Sequence, residues 1–347
     1  MIRIGIVGTG GMAHAHASAF GNIRGCKITA CCDIDAARAA SFAEQFQIPD
    51  IYTNYGSMLA DAKIDAISTP TPDALHAPVS IAGITAGKHV LCEKPLATSY
   101  AEARRMVSAA KRKGVVNMVN LSYRDAPAIQ KAAKIIHSGK LGRVRHVQAS
   151  YLQGWLTGKH WGDWRSGPNW LWRLSTRHGS MGALGDLGVH IVDFASFPVG
   201  PVKQVSCLLK TLPKAPRGRI GQYRLDANDT AAITVEFANG AVGNITATRW
   251  ATGRVNSLTL SVHCDKGALE VDLDRSTTTL MLCSGKDVDR ARWKEVPCPH
   301  TPNIYQRFIK SIQTGTKDQP DFARGADIQT ILDACVRSNA TGRAVRV

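Results

Sequence analysis

The sequence has no apolar run approaching the ~20 residues that span a bilayer, and its nine cysteines include no CxxC pair. It also has no HExxH pattern. These absences argue against a membrane span, a redox dithiol and a zinc-protease site. The first residues are typical of a strand rather than a signal peptide, so we expect reduced cysteines in a cytoplasmic protein.

Acidic residues are scarce relative to basic ones, 27 against 43, and the formal net charge is +16. Such a charge attracts anions, including nucleic acid. The basic residues are spread along the chain, however, without a basic arm or an aromatic-interleaved RNA motif. We therefore predict a generally basic surface that favours an anionic cofactor, with neither nucleic acid nor a membrane as partner.

The start of the chain has the pattern of a dinucleotide-binding turn. An apolar strand over residues 2–7 leads into Gly8-Thr9-Gly10-Gly11-Met12-Ala13, and a helix follows to about residue 20. The first glycine permits a tight turn, the second lets the backbone approach a pyrophosphate, and the alanine allows close packing of helix on strand. The helix N-terminus then offers N–H groups to the phosphates.

An acidic residue follows the second predicted strand. Asp33 lies 25 residues past Gly8, where a carboxylate accepts hydrogen bonds from the adenosine ribose and repels a 2′-phosphate. Ile34 follows instead of serine or arginine, which favours NAD over NADP, although Arg38 one helical turn later leaves NADP open. Asp33 or Asp35 is alternatively the cap of a helix over 36–46.

Strands and helices alternate to about residue 120, which predicts a parallel, doubly wound sheet. Ligands bind at the carboxyl ends of such strands. The loop after the strand over 65–69 should therefore contact the cofactor through Thr69, Pro70, Thr71, Leu75 and His76, although His76 by default packs or caps at a helix start.

The strand over 89–92 ends at Glu93-Lys94-Pro95, because proline stops it. Lys94 then lies where it can reach a substrate. The alternative is a solvated Glu–Lys pair in a loop.

After residue 120 the pattern changes to period-two strands over 143–152, 202–210, 230–237, 241–250, 257–264, 268–273 and 278–283. These strands predict a large, mainly antiparallel sheet, preceded in the chain by a helix over 125–138 and followed by another over 325–339. Asn239-Gly240 predicts a type I′ hairpin turn. The open face of the sheet is expected to form a subunit contact.

A helix beginning near Gly185 carries Asp186, His190 and Asp193 at i, i+4 and i+7, on one face. Asp186 and His190 form a plausible acid/base pair. The alternative is a capping aspartate with a structural histidine. No third soft ligand lies nearby, so we expect no metal. His14 and His16 do not share a helix face and are interpreted as structural.

Five of the seven tryptophans lie between residues 155 and 172. This segment contains glycine and proline and is predicted to be a loop. Its rings could stack on the C–H face of a sugar or cyclitol, or form an interface or a satellite core. The sequence leaves these alternatives open.

The motifs together resemble the glucose–fructose oxidoreductase/inositol dehydrogenase (Gfo/Idh/MocA) family over nearly the whole chain. They are the glycine turn, Asp33, Glu93-Lys94-Pro95, Tyr123-Arg124, Gly139-Lys140-Leu141-Gly142, Trp172-Arg173 and Gly185-Asp186-Leu187-Gly188-Val189-His190. One departure is Gly179-Ser180-Met181-Gly182, where the family often has a run of three glycines.

The resemblance implies an α/β protein with an NAD-binding Rossmann domain over 1–120. It also implies an α+β domain over 121–322 for substrate and oligomerisation, and a C-terminal helix and tail over 323–347 that return to the first domain. A homodimer or homotetramer would form through the open sheet. The implied catalytic residues are Lys94, Asp186 and His190. Lys94, Arg124, Trp164, Trp172, Arg173, Asp186 and His190 are the expected substrate contacts, and Glu93 and Lys94 also adjoin the cofactor.

These features predict an NAD(P)-dependent oxidoreductase acting on CH–OH groups, which oxidises a secondary alcohol of a sugar or cyclitol by hydride transfer to nicotinamide. One alternative is an NAD-dependent enzyme that cleaves glycosides through transient sugar oxidation. Another, motivated by the net charge, is a non-catalytic, cofactor-sensing regulator.

Overall fold

A computed structural model describes the backbone of residues 1–347 and the side chains of all of them except residues 168 and 169. The chain forms two compact units. The first comprises residues 1–121 and 302–329, and the second comprises residues 122–301 and 330–347. Within the described residues, no helix has both the length and the apolar character needed to cross a bilayer.

Seventeen strands and ten α-helices occur along the described chain. The strands are β1 (Ile2–Val7), β2 (Cys26–Cys32), β3 (Asp50–Tyr52), β4 (Ala66–Thr69), β5 (His89–Cys92), β6 (Asn117–Val119), β7 (Val144–Leu152), β8 (Val202–Lys210), β9 (Arg219–Ile220), β10 (Tyr223–Arg224), β11 (Thr230–Phe237), β12 (Val242–Thr248), β13 (Ser257–Cys264), β14 (Gly267–Asp272), β15 (Thr279–Ser284), β16 (Lys294–Pro297) and β17 (Val345–Arg346). The helices are α1 (Gly11–Gly21), α2 (Ala36–Phe46), α3 (Tyr55–Asp61), α4 (Asp73–Thr85), α5 (Tyr100–Lys113), α6 (Pro127–His137), α7 (Pro168–Leu171), α8 (Val189–Val199), α9 (Ile304–Thr314) and α10 (Phe322–Thr341).

The first unit is built on a six-stranded sheet in the order β3-β2-β1-β4-β5-β6. Every pairing in it is parallel. The strand order reverses between β1 and β4, and in doubly wound sheets ligands bind outside the carboxyl ends of the strands at such a reversal. The predicted Rossmann fold is therefore confirmed.

The core of the first unit joins the start and the end of the chain. Ile4 and Ile6 of β1 pack with Phe20 of α1 and with Phe308 of α9, and all four are buried. Helix α9 was not predicted from the sequence. Its apolar side chains place residues 302–329 in the first unit, although the predicted first domain ended at residue 120.

The second unit contains a nine-stranded sheet in the order β16-β15-β14-β13-β7-β12-β11-β8-β17. Its pairings are antiparallel except that of β7 with β12, which is parallel. Helices α6 and α8 pack against it, whereas alternate residues such as Gln148, Thr234 and Asn244 are exposed. The predicted α+β domain with a large open sheet is confirmed.

The end of the chain adds to the second sheet. Val345 of β17 pairs with Val205 of β8, and the hydroxyl of Ser338 in α10 accepts a hydrogen bond from the N–H of Cys207 at 2.9 Å. Residues 330–347 thus belong to the second unit. The prediction had the whole segment 323–347 returning to the first domain.

The hairpin between β11 and β12 differs from the predicted type I′ turn. That turn needs positive φ at both central residues, and only Gly240 has it, at 86°. The N–H of Gly240 donates to the carbonyl of Phe237 at 3.0 Å, and the N–H of Phe237 donates to that of Ala241 at 2.8 Å. The loop is one residue longer because Ala238 joins it, so the predicted turn type is wrong and the hairpin itself is confirmed.

Candidate active site

The predicted site residues fall into two groups, one in each unit.

The turn between β1 and α1 fits a pyrophosphate. Gly8 has φ of +90°, and a Cβ there would lie 3.1 Å from Cγ2 of Thr71 and 3.2 Å from the carbonyl oxygen of Pro70. A Cβ on Gly10 or Gly11 would meet nothing within 4 Å. No described side chain caps α1 at Gly10. The open backbone and the helix N-terminus can therefore receive an anionic group.

Asp33 is tied to this turn. Its Oδ2 accepts hydrogen bonds from the N–H and the hydroxyl of Thr9, at 2.8 and 2.9 Å. Its Oδ1 accepts from the N–H of Asp35 at 3.0 Å and lies 3.1 Å from the guanidinium of Arg38. Burial raises the pKa of Asp33, but these hydrogen bonds and Arg38 together bring that pKa below its ordinary value. The cap of α2 is Asp35, which accepts from the N–H of Arg38.

His76 joins two loops at the carboxyl edge of the sheet. Its Nδ1 lies 2.6 Å from the carbonyl oxygen of Pro95, and its Nε2 lies 2.9 Å from that of Thr71. The buried ring therefore links the loop after β4 to the segment that carries Lys94. Of the other predicted cofactor contacts, Thr69 and Pro70 are buried, and Met12, Ile34 and Leu75 are exposed.

Glu93 and Lys94 directly follow β5. Glu93 is buried and Lys94 is half-buried. Oε1 of Glu93 lies 2.8 Å from Nε2 of His16 and also accepts from Nδ2 of Asn120, while Oε2 accepts the N–H of Lys94 at 3.1 Å. Burial raises the pKa of Glu93, but His16, Lys94 and Asn120 lower it to about 2. Glu93 is thus a buried carboxylate rather than a solvated loop residue.

In the second unit, Asp186 lies in a π-helical turn, Leu184–Gly188, which runs into α8. Such turns are frequent at functional sites. Its Oδ2 accepts a hydrogen bond from Arg249 at 3.0 Å. The side chain of Arg249 is fully buried, whereas that of Asp186 is 30% exposed. Burial lowers the pKa of Arg249 and the charge of Asp186 opposes this. The buried cation holds the carboxylate in place.

His190 packs against two tyrosines. Its ring meets that of Tyr123 edge-on, with centroids 4.8 Å apart, and that of Tyr151 at 6.3 Å. The two tyrosine hydroxyls lie 2.8 Å apart. Asn256 closes the ring of hydrogen bonds: its Nδ2 donates to Tyr123 at 2.6 Å and its Oδ1 accepts from Tyr151 at 2.7 Å. Burial raises the pKa of Tyr151, so its hydroxyl remains protonated.

Asp193 has a separate partner. Its Oδ2 accepts a hydrogen bond from Nε of Arg124 at 2.9 Å, and a second bond completes a bidentate pair. The guanidinium also lies 4.2 Å from the centroid of the Phe197 ring. The predicted set of Asp186, His190 and Asp193 is thus divided among different neighbours. The charge of Arg124 is therefore already paired within the second unit. A substrate contact by Arg124 stays a prediction.

The tryptophan-rich segment forms a small core, in which Trp155 and Trp164 are buried. Trp161 and Trp170 stack with centroids 6.0 Å apart. The guanidinium of Arg173 lies 4.6 Å from the centroid of the Trp172 ring, and both residues are half-buried. The satellite-core alternative therefore describes Trp155 and Trp164. The substrate contacts of Trp164, Trp172 and Arg173 stay predictions, and burial does not favour that of Trp164.

Two residues of these networks escaped the sequence reasoning although a signal was present. His16 belongs to the buried stripe of α1, with Ala13, Ala17 and Phe20, and a buried histidine needs polar partners. Arg249 continues the inward-facing positions of β12. The other missed members are Asn120, Tyr151 and Asn256. Among the described residues, no three His, Cys, Asp or Glu side chains could hold a metal.

Two protein-family models match this chain. The model of an oxidoreductase family with an NAD-binding Rossmann fold (GFO_IDH_MocA) matches residues 2–121. The model of the GFO/IDH/MocA C-terminal domain matches residues 129–270.

Individual relatives match all or part of the chain. Levoglucosan dehydrogenase of Pseudarthrobacter phenanthrenivorans is 30% identical over 98% of this chain and 96% of its own. A scyllo-inositol 2-dehydrogenase (NADP(+)) of Bacillus subtilis is 32% identical over 59% of this chain and 60% of its own. The structure of levoglucosan dehydrogenase in complex with NADH and L-sorbose has a TM-score of 0.87 at 30% identity, covering 100% of this chain and 98% of that one.

The glycine turn, the ionised Asp33 and these matches confirm the predicted NAD-dependent oxidoreductase, with the first unit as its cofactor domain. The chain belongs to the Gfo/Idh/MocA family of oxidoreductases.

Proposed function

We propose that the protein is a dehydrogenase that oxidises a secondary alcohol of a sugar or cyclitol with NAD. The observation that carries the proposal is the position of Lys94. It lies at the carboxyl end of β5, in the sheet whose β1–α1 turn fits a pyrophosphate, and the ionised Glu93 anchors its main chain. Relatives named for levoglucosan and scyllo-inositol support the substrate class.

When bound, NAD⁺ would accept the hydride that leaves the carbinol carbon of the substrate. His190 takes the hydroxyl proton, directly or through Lys94. Lys94 donates a hydrogen bond to the substrate oxygen as negative charge develops on it. Asp186 accepts a hydrogen bond from a neighbouring hydroxyl, and its pairing with Arg249 keeps it oriented.

The remaining residues would decide which alcohol is used. Trp172 and Arg173 are half-buried and adjacent, so they can present an aromatic face and a cation to a sugar. Arg124 and Trp164 complete the proposed set of substrate-binding residues. Each either contacts the substrate or supports a residue that does.

The test is a screen in which the protein is incubated with NAD or NADP and a panel of levoglucosan, inositols and hexoses. Formation of reduced nicotinamide is followed by absorbance. With the substrate found, Lys94→Ala should lower kcat by about 10²-fold or more, while NAD affinity changes little. Lys113→Ala, at the exposed end of α5, is the matched control. Near-normal turnover of Lys94→Ala would refute the role of this lysine.

The same screen separates net oxidation from glycoside cleavage. Sugar products are analysed beside the absorbance trace. Cleavage of a glycosidic substrate without accumulation of NADH would overturn the dehydrogenase proposal in favour of the redox-neutral reaction.

We further propose that the open face of the second sheet joins copies of the chain into a homodimer or homotetramer. Two large apolar side chains on this face, Leu208 and Val242, are 53% and 50% exposed, and its other exposed residues are mostly small and polar. Light scattering after gel filtration at several concentrations tests this. Leu208→Arg should dissociate the oligomer, whereas Val288→Arg, which changes an exposed valine outside this sheet, should not. A monomer at every concentration would contradict the proposal.

A further inference from the structure

Under Lys94 lies a network of buried polar groups that the proposed reaction does not use. His16 on α1 is fully buried, with Nδ1 2.6 Å from the hydroxyl of Ser68 and Nε2 2.8 Å from Glu93. Asn120, after β6, donates both to Glu93 and to the hydroxyl of Tyr305. The network thus connects α1, three strands of the sheet and α9 at a single carboxylate.

The direction of these hydrogen bonds follows from the charge of Glu93. An ionised carboxylate only accepts, so Nε2 of His16 carries a proton. The amide of Asn120 likewise presents its nitrogen, although this leaves its Oδ1 buried without a hydrogen-bond partner among the described residues. Since an unsatisfied buried oxygen costs about 1–3 kcal/mol, the orientation of Asn120 indicates that the bond to Glu93 is the stronger requirement.

We propose that His16 and Asn120 hold Glu93 as an anion so that Glu93 can act as the positioning residue of Lys94, fixing its main chain and keeping its amine protonated. The inference rests on the proposed role of Lys94 in catalysis. The main-chain part is the 3.1 Å bond from the N–H of Lys94 to Oε2. The charge part follows from the placement of the two residues, which are adjacent in the chain, with the Glu93 carboxylate bonded to the main chain of Lys94. Attraction between the two charges contributes to the low pKa of that carboxyl.

Attraction between two charges is reciprocal, so removing the charge of Glu93 must weaken proton binding by Lys94. An opposite charge within about 4–6 Å shifts a pKa by roughly one to three units. Glu93→Gln keeps the side-chain shape and removes the charge. It should move the titration of Lys94 to lower pH by about one unit or more.

The titration can be measured without any substrate. Trace labelling with acetic anhydride modifies only unprotonated amines, and mass spectrometry of the Lys94 peptide gives the labelled fraction at each pH. In Glu93→Gln the midpoint should fall, and in Glu44→Gln, which removes an exposed carboxylate from α2, it should not. An unchanged midpoint in a folded Glu93→Gln protein would overturn the proposal.

Two substitutions of His16 test whether this residue helps to hold Glu93 as an anion. They remain informative should Glu93→Gln fail to fold. His16→Gln retains an N–H donor for Glu93, whereas His16→Leu removes it. The Lys94 midpoint should fall further in His16→Leu than in His16→Gln. Equal midpoints in the two would limit His16 to packing and overturn its part in the proposal.

Labelling also separates this inference from the proposed function. Shifted midpoints in a protein that oxidises no alcohol in the screen would leave the charge coupling intact and refute the dehydrogenase. With an active enzyme, whichever limb of the kcat–pH profile reports Lys94 should move to lower pH in Glu93→Gln. A purely structural role would lower kcat without moving that limb.

Discussion

The Oδ2 atom of Asp186 lies 3.0 Å from a guanidinium nitrogen of Arg249, whose side chain is completely buried. The same guanidinium donates to the carbonyl oxygen of Arg173 at 2.9 Å. The residue proposed to hold a substrate hydroxyl is therefore itself held by a cation that has no exposed surface. The pair connects the π-helical turn to the end of β12.

This relationship predicts that Arg249→Lys lowers kcat/KM by about 10- to 100-fold. A lysine keeps the charge but cannot reproduce the two directed donors of the guanidinium, and small misplacements near a reacting centre cost up to about 10²-fold. Steady-state kinetics with the substrate identified by the screen checks this. Arg254→Lys, which alters an exposed ion pair with Asp274, is the control and should leave kcat/KM unchanged.

Cofactor choice should respond to Asp33. Asp33→Ser removes the carboxylate that repels a 2′-phosphate and frees Arg38 from one of its two acidic neighbours. We expect the ratio of kcat/KM with NADP to that with NAD to rise by about 10-fold or more, since repulsion between two unit charges about 4 Å apart costs roughly 1–4 kcal/mol and ~1.4 kcal/mol corresponds to a tenfold change in rate.

The double variant Asp33→Ser/Arg38→Ala should lose most of that gain, because no cation then faces the phosphate. Loss of the hydrogen bonds to Thr9 will weaken the binding of both cofactors. The NADP-to-NAD ratio of kcat/KM is therefore the quantity to compare. A ratio unchanged in Asp33→Ser would show that discrimination lies elsewhere in the turn.

Glu93 should make the free energy of unfolding of the first unit fall at low pH. Its folded pKa of about 2 lies below the ordinary value of 4.5, so its stabilisation is fully present above about pH 4.5 and is lost as the pH falls through 2. The difference corresponds to roughly 3 kcal/mol. The unfolding free energies of the wild type and Glu93→Gln should therefore converge by about this amount between pH 5 and pH 2.

Urea unfolding followed by circular dichroism measures this convergence. All seven tryptophans lie in the second unit, so their fluorescence follows that unit separately. Glu44→Gln is the control and should leave the pH dependence unchanged. A constant gap between the wild type and Glu93→Gln would contradict the low pKa of this carboxyl.

The two predicted substrate tryptophans should behave differently when truncated. Trp164 is 1% exposed, and its Nε1 donates to the carbonyl of Leu156 at 3.2 Å. Trp164→Ala should therefore destabilise the second unit by about 3–5 kcal/mol. Trp172→Ala, at a half-buried position, should change relative activity across the substrate panel with a smaller loss of stability.

Urea unfolding followed by circular dichroism, together with the panel of alcohols, distinguishes these effects. A Trp164→Ala protein of normal stability with altered substrate preference would restore Trp164 as a direct contact.

The strand–turn–helix pattern around Gly8 could be predicted because its requirements are local. Positive φ at residue 8, an open helix N-terminus and a carboxylate after the next strand all depend on residue types at short spacing. The end of the strand over 89–92 could be predicted for the same reason, because Pro95 stops it a few residues later. By contrast, Asn239-Gly240 predicted the wrong turn because the loop length depends on the strand pairing on both sides.

Helix α9 and the final strand show a second limit. Their assignment depends on contacts across most of the chain: Phe308 packs with Ile4, and Val345 pairs with Val205. A periodic pattern indicates which face of an element is buried, but it does not identify the element that covers that face.

The sequence by itself determined the Rossmann fold, the large antiparallel sheet and the candidate lysine, since each follows from periodicity and from turn chemistry within a few residues. Only the tertiary structure decided the partners of the polar groups. It placed His16 against Glu93, Arg249 against Asp186, and Arg124 against Asp193. Burial makes an unpaired charge costly, so these residues had to find partners, and the partners lie 63 to 77 positions away.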